Sequence, residues 1–121
     1  MTTKNDNTTA DHITLRRDGA PPLRFIGWLR SEASSQKHDG PSSSRWTVIR
    51  IYETASGKAV LSILGHTLWQ GESERYAAIV VPVFDGAAIA KALAEQNGGY
   101  LSVVAMEALD DAGLEYAEDL E

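Results

Sequence analysis

The chain has 121 residues, 43% of them hydrophobic, no cysteine and a formal net charge of −6. That length suits one domain, and the missing cysteines exclude a disulfide framework, thiolate metal sites and a cysteine nucleophile. The acidic balance argues against bulk nucleic-acid affinity, which rests on Lys and Arg releasing counterions from phosphate.

Residues 1–12 (MTTKNDNTTADH) are short, polar and without apolar periodicity. Ordering them would cost entropy without burial, so a disordered tail is expected. The stretch also lacks the apolar core of a secretory signal or a membrane span, which makes a soluble cytoplasmic protein the expectation. Residues 13–17 alternate as a short strand, Asp18 and Gly19 signal a turn, and Pro21 and Pro22 lead into a second strand over 23–31. That strand puts Leu23, Phe25, Gly27 and Leu29 on one face, with Arg24, Ile26, Trp28 and Arg30 on the other. Gly27 inside the run suggests a bulge, or close approach by an aromatic ring. Residues 34–44 (SSQKHDGPSSS) read as a mobile loop, functional or merely long.

The dominant feature follows. Arg45–Thr54 (RWTVIRIYET) and the AVLSIL run after Gly57 and Lys58 carry apolar side chains on both faces, predicting a central hairpin covered from two sides. Trp46, Val48 and Tyr52 share a face with Arg50, while Ile49 and Ile51 take the other. Residues 75–83 read as a buried strand that Pro82 must end or leave at an edge. Asp85 is a predicted N-cap, with Phe84 and Ile89 at the spacing of a hydrophobic staple. That helix runs to about Gln96 and is stopped by Asn97, Gly98 and Gly99. From Tyr100, positions Leu101, Val104, Ala105, Ala108 and Ala112 keep helical spacing up to Gly113. A strand beginning at YLSVVAM is the alternative there. Residues 114–121 form an acidic tail. The expected fold is α+β: one domain over 13–113, an antiparallel sheet of about five strands with two C-terminal helices packed on one face.

Catalytic patterns are sparse. No serine sits in a Gly-x-Ser-x-Gly elbow. His12, His38 and His66 are scattered, so no metal site is expected. The adjacent pairs Asp110/Asp111 and Glu118/Asp119 do not face one another, and the glycines at 86 and 98–99 make no phosphate cradle. The expectation is a protein that is not an enzyme and carries no cofactor.

Charge distribution says more. Residues 13–58 carry eight basic side chains against four acidic ones, and residues 59–121 carry two against eleven. Such asymmetry can steer a charged partner or pair copies head to tail, although salt screens exposed charges. The leading expectation is an interaction protein that engages a basic protein partner through Glu107, Asp110, Asp111, Glu115, Glu118 and Asp119. A homodimer fits the same asymmetry. The rival is a nucleic-acid-binding module using Arg24, Trp28, Arg30, Arg45 and Arg50, with bases stacking beside cations. Against it, tryptophans in such strands commonly bury and arginine stems cover them. A pocket near His66 and Trp69 would favour a small-molecule binder or enzyme.

Several motifs carry a resemblance: Phe25-x-Gly27-x-Leu29, the serine-rich loop, Arg45-Trp46-Thr47 with Tyr52 and Thr54, Gly57-Lys58, and Gly65-x-Thr67-x-Trp69-x-Gly71-Glu72. Over about residues 23–112 the chain resembles a group of small proteins carried on bacterial mobile elements, such as integrative and conjugative elements and plasmids. A weaker similarity runs to the small EXLDI family. Neither resemblance implies an activity or a catalytic residue. What the first implies is a setting, an accessory gene of a mobile element, where small acidic proteins sometimes inhibit host defences such as CRISPR systems.

Overall fold

The computed structural model describes residues 9–36 and 44–120. Most of the expected tail, His38 and the greater part of the 34–44 loop lie outside them. The elements are β1 (Asp11–Leu15), β2 (Leu23–Ser34), β3 (Arg45–Thr54), β4 (Ala59–Thr67), β5 (Arg75–Val81), α1 (Gly86–Gln96) and α2 (Val103–Asp111). The strands form one antiparallel meander in the order β1-β2-β3-β4-β5. The fold is α+β, as the sequence suggests.

Alternation in the central hairpin creates two buried surfaces. Ile49 and Ile51 of β3 and Ala59 and Leu61 of β4 point to the side covered by the helices, where they meet Ile89, Leu93, Val104, Ala105, Ala108 and Leu109. Here α2 lies over β2 and β3, while α1 lies over β4 and β5. Ile51, Leu61, Ile89 and Leu109 are fully buried, each contributing about 1.5–3 kcal/mol of transfer free energy.

Val48, Tyr52 and Val60 point the other way and are buried too. The sheet curls to cover them. Phe25 from β2 meets Tyr52 edge-on at 5.4 Å. Beyond β1, the Asp18 N–H donates to the Tyr76 carbonyl at 2.9 Å, and the Tyr76 N–H donates back to Asp18 Oδ2 at 2.9 Å. The segment leaving the first strand thus meets the last.

A bulge in β2 reverses its faces. Leu29 pairs with Tyr52, but Ser31 pairs with Ile51, so Arg30 is extra. Before the bulge, Trp28 is opposite Glu53 on the helix-side parity; after it, Ser31 and Ala33 hold that side and Glu32 points away. The buried Ser31 hydroxyl donates to the Ala108 carbonyl of α2 at 2.7 Å. The bulge follows Gly27 by a few residues, and what crowds Gly27 is backbone rather than a ring: a Cβ there would lie 2.2 Å from the Glu53 carbonyl oxygen.

The helix ends obey local chemistry. Asp85 caps α1 by accepting from the Ala88 N–H at 3.0 Å. Ser102 caps α2 by accepting from the Ala105 N–H at 3.2 Å, which resolves the strand alternative in favour of helix. Gly113, at φ 71°, takes the left-handed conformation that ends α2. The chain then crosses the start of α1 so closely that a Cβ on Gly86 would lie 1.8 Å from the Glu115 carbonyl oxygen. Leu114 and Tyr116 pack against the core, so the first part of the acidic segment is docked.

Candidate functional site

Three arginines of the predicted nucleic-acid face are engaged by carboxylates. Arg30 Nη2 lies 2.8 Å from Glu53, Arg50 Nε lies 3.2 Å from Glu32, and Arg45 binds both carboxylate oxygens of Glu72. Strand register divides the set further. Arg24 and Trp28 share one parity of β2, whereas Arg50 pairs with Glu32 on the opposite face. Trp28 is half-buried, with the Arg30 guanidinium 5.0 Å from its ring centroid. The expectation that Arg24, Trp28 and Arg50 form one surface is therefore corrected. Trp28 pairs with Glu53 and so lies on the Ile51 side of β3, away from Arg50; the extra residue at Arg30 adds only that Glu32 comes opposite Arg50.

The acidic residues gather at the end of α2 and the segment after it. Glu107 is half-buried, while Asp110, Asp111, Glu115, Glu118 and Asp119 are exposed. Asp110 accepts a hydrogen bond from the Tyr116 hydroxyl at 3.1 Å. Burial first, then this bond, pushes the Tyr116 phenol up from its ordinary value. Among the described residues, no Lys or Arg pairs with Asp111, Glu115, Glu118 or Asp119. The last turn of α2 holds Asp110 and Asp111 and no basic residue. Carboxylates there oppose the negative end of the helix dipole.

A second polar region was only partly foreseen, through His66 and Trp69. An open groove of about 970 Å³ lies where β3, β4 and β5 meet, its lining including Arg16, Asp18, Trp46, His66, Glu74 and Arg75. His66 and Glu74 come together because β4 and β5 are antiparallel neighbours whose pairing ends at Gly65 and Arg75. His66 Nδ1 lies 2.7 Å from Glu74 Oε2, and the Tyr76 hydroxyl donates to Glu74 Oε1 at 3.2 Å. The His66 hydrogen bond is the main reason the Glu74 carboxyl sits below its ordinary range. Trp46 stacks on the imidazole, centroids 5.3 Å apart at 28°.

Beside it, the Glu72 carboxyl is pulled down to about 2 by hydrogen bonds from Arg45 and then Thr67. This pair orders the β4–β5 loop, where Trp69 is 53% exposed with the Arg45 guanidinium 5.5 Å from its ring centroid. The strand tryptophans expected to bury, Trp28 and Trp46, are half-buried, and Trp69 stays at the surface. The missed partner, Glu74, left only its hairpin spacing of eight residues from His66 as a signal. No group of three or more His, Asp or Glu among the described residues could hold a metal ion. None of the described helices is long and apolar enough to cross a membrane. No family model, no curated protein and no solved structure matches this chain.

Proposed function

We propose that this chain is a non-catalytic interaction protein that captures a basic protein surface through the acidic end built by α2 and the segment after it. The supporting observation is the placement of Asp110 and Asp111 at the end of α2 with no basic residue in the last turn. Carboxylates at that end cost about 0.3–1 kcal/mol each. A sequence that keeps them there forgoes stability, a pattern common where a surface serves binding. Docking of Leu114 and Tyr116 on the core presents Glu115 from a fixed frame, which lowers the ordering cost of association.

The sharper form of this reading is an accessory protein of a mobile element that inhibits a host defence, imitating nucleic-acid charge with Glu107, Asp110, Asp111, Glu115, Glu118 and Asp119. The resemblance to mobile-element proteins supports that setting. A pull-down from the native host, comparing wild type with the Asp110→Lys/Asp111→Lys double variant, tests both forms. Loss of a specific captured protein in the double variant is expected, with capture weakening as salt rises. Undiminished capture would rule the acidic end out.

A further inference from the structure

β5 is the last strand of the sheet, and among the described residues its outer edge is closed only at its start. There Tyr76 sends both backbone groups outward to Asp18. Because β5 pairs with β4 without a break in register, alternation turns the N–H and C=O of Ala78 and Val80 the same way. No described residue bonds to them. Monomeric proteins blunt such an edge with charge, proline or a bulge. Residues 77–81 (AAIVV) carry none of these before Pro82, and the Val80 side chain is 48% exposed.

We infer that this edge is a homodimer interface, in which β5 of one copy pairs antiparallel with β5 of a second copy about a two-fold axis at Ile79. Self-pairing of this kind is isologous, so one patch meets itself. The chain's own backbone sets the register. With Ile79 opposite Ile79, Ala78 faces Val80 of the second copy and Val80 faces its Ala78. Each such pair exchanges both of its N–H···O=C bonds, and each exposed Val80 side chain gains an apolar neighbour. Tyr76, whose outward groups already belong to Asp18, falls opposite Pro82, which has no N–H to offer. The paired length thus ends on both sides without stranding a donor. Charge matches as well as register, which favours a second copy over an unrelated extended peptide. Arg75 lies by alternation on the helix-covered face with Ile79 and forms no ion pair among the described residues. The Phe84 N–H donates to the Gly57 carbonyl at 3.0 Å, so the chain beyond Pro82 keeps close to the line of β5. Asp85, capping α1 on that same face, is therefore carried toward Arg75 of the second copy, twice over by symmetry.

The test is sedimentation of the full chain across a concentration series, paired with amide hydrogen exchange at low and high concentration. A monomer–dimer equilibrium is expected. Val80→Lys, at a half-exposed position, should weaken it about tenfold while keeping the native circular dichroism spectrum. Exchange reads the backbone directly and needs no variant. The amides of Ala77 and Ile79, turned toward β4, should be protected at every concentration, whereas those of Ala78 and Val80 should gain protection as dimer forms. A chain that stays monomeric throughout would overturn the proposal. So would a dimer in which Ala78 and Val80 exchange at the monomer's rate, or one that a well-folded Val80→Lys leaves intact. The Asp110→Lys/Asp111→Lys variant should not alter the association, so the strand edge and the acidic end stand or fall separately.

Discussion

Arg30, Arg45 and Arg50 each sit in the sheet within reach of a carboxylate, whereas Asp111, Glu115, Glu118 and Asp119 at the helical end meet no basic side chain among the described residues. Both regions look strongly charged along the chain. They differ because antiparallel register sets charges opposite one another across strands, as with Arg50 and Glu32. A helix end followed by a turn supplies no such opposite number. Counting charges by segment therefore overstates the sheet's reach toward an external partner and understates that of the helical end.

The contrast can be broken most forcefully at Gly86. A Cβ there would strike the Glu115 carbonyl, so Gly86→Ala should push the segment after α2 off the start of α1 and cost about 3 kcal/mol. Urea denaturation would measure the loss, and faster amide exchange at Leu114 would show the acids losing their frame. Unchanged exchange would mean that the segment is not held there. Next in size is Ser31→Ala, which removes one of the two hydrogen bonds that the Ala108 carbonyl accepts, the Ala112 N–H supplying the other, and should cost about 1 kcal/mol in the same assay.

Smaller effects sharpen the comparison. Asp111→Lys should raise stability by about 0.3–1 kcal/mol by favouring the helix dipole, read as a higher melting temperature, while weakening partner capture. A lower melting temperature would show the carboxylate contributing to the fold. The smallest effect belongs to Glu72, whose carboxyl is pulled from 4.5 to about 2 in the folded protein. A depressed folded-state value means that its contribution is present above pH 4.5 and is lost as pH falls toward 2. Glu72→Gln should remove that part of the acid destabilisation, seen as a flatter stability profile in this window; an unaltered profile would show that the exposed Arg45 pair contributes nothing.

Much of the architecture could be read from one-dimensional pattern. Alternation gave β3 its limits, Arg45–Thr54, and Pro82 follows the last residue of an edge strand. Asp85 caps α1 as its side chain and position require. What escaped was long-range. Gly27 hints at a bulge without placing it: the extra residue is Arg30, and the inversion of the faces of β2 depends on its pairing with β3. The interior face shared by Val48, Tyr52 and Val60 depends on curling that joins Asp18 to Tyr76. Among the proposed acidic residues, composition and helical spacing were sufficient to mark Asp110 and Asp111 as exposed. The His66–Glu74 pair was not legible, because histidine within a strand end is more often a bystander than a partner.

The Asp18–Tyr76 bridge closes a span of 58 residues, and that has a consequence for biosynthesis. A nascent chain emerging from the ribosome displays its first hairpin well before β5 exists to receive it. Loop-closure entropy makes so distant a contact slow to form. The turn after β1 is therefore among the last parts of the sheet to be secured, and the apolar residues of the first hairpin stay accessible to chaperones until translation has passed β5.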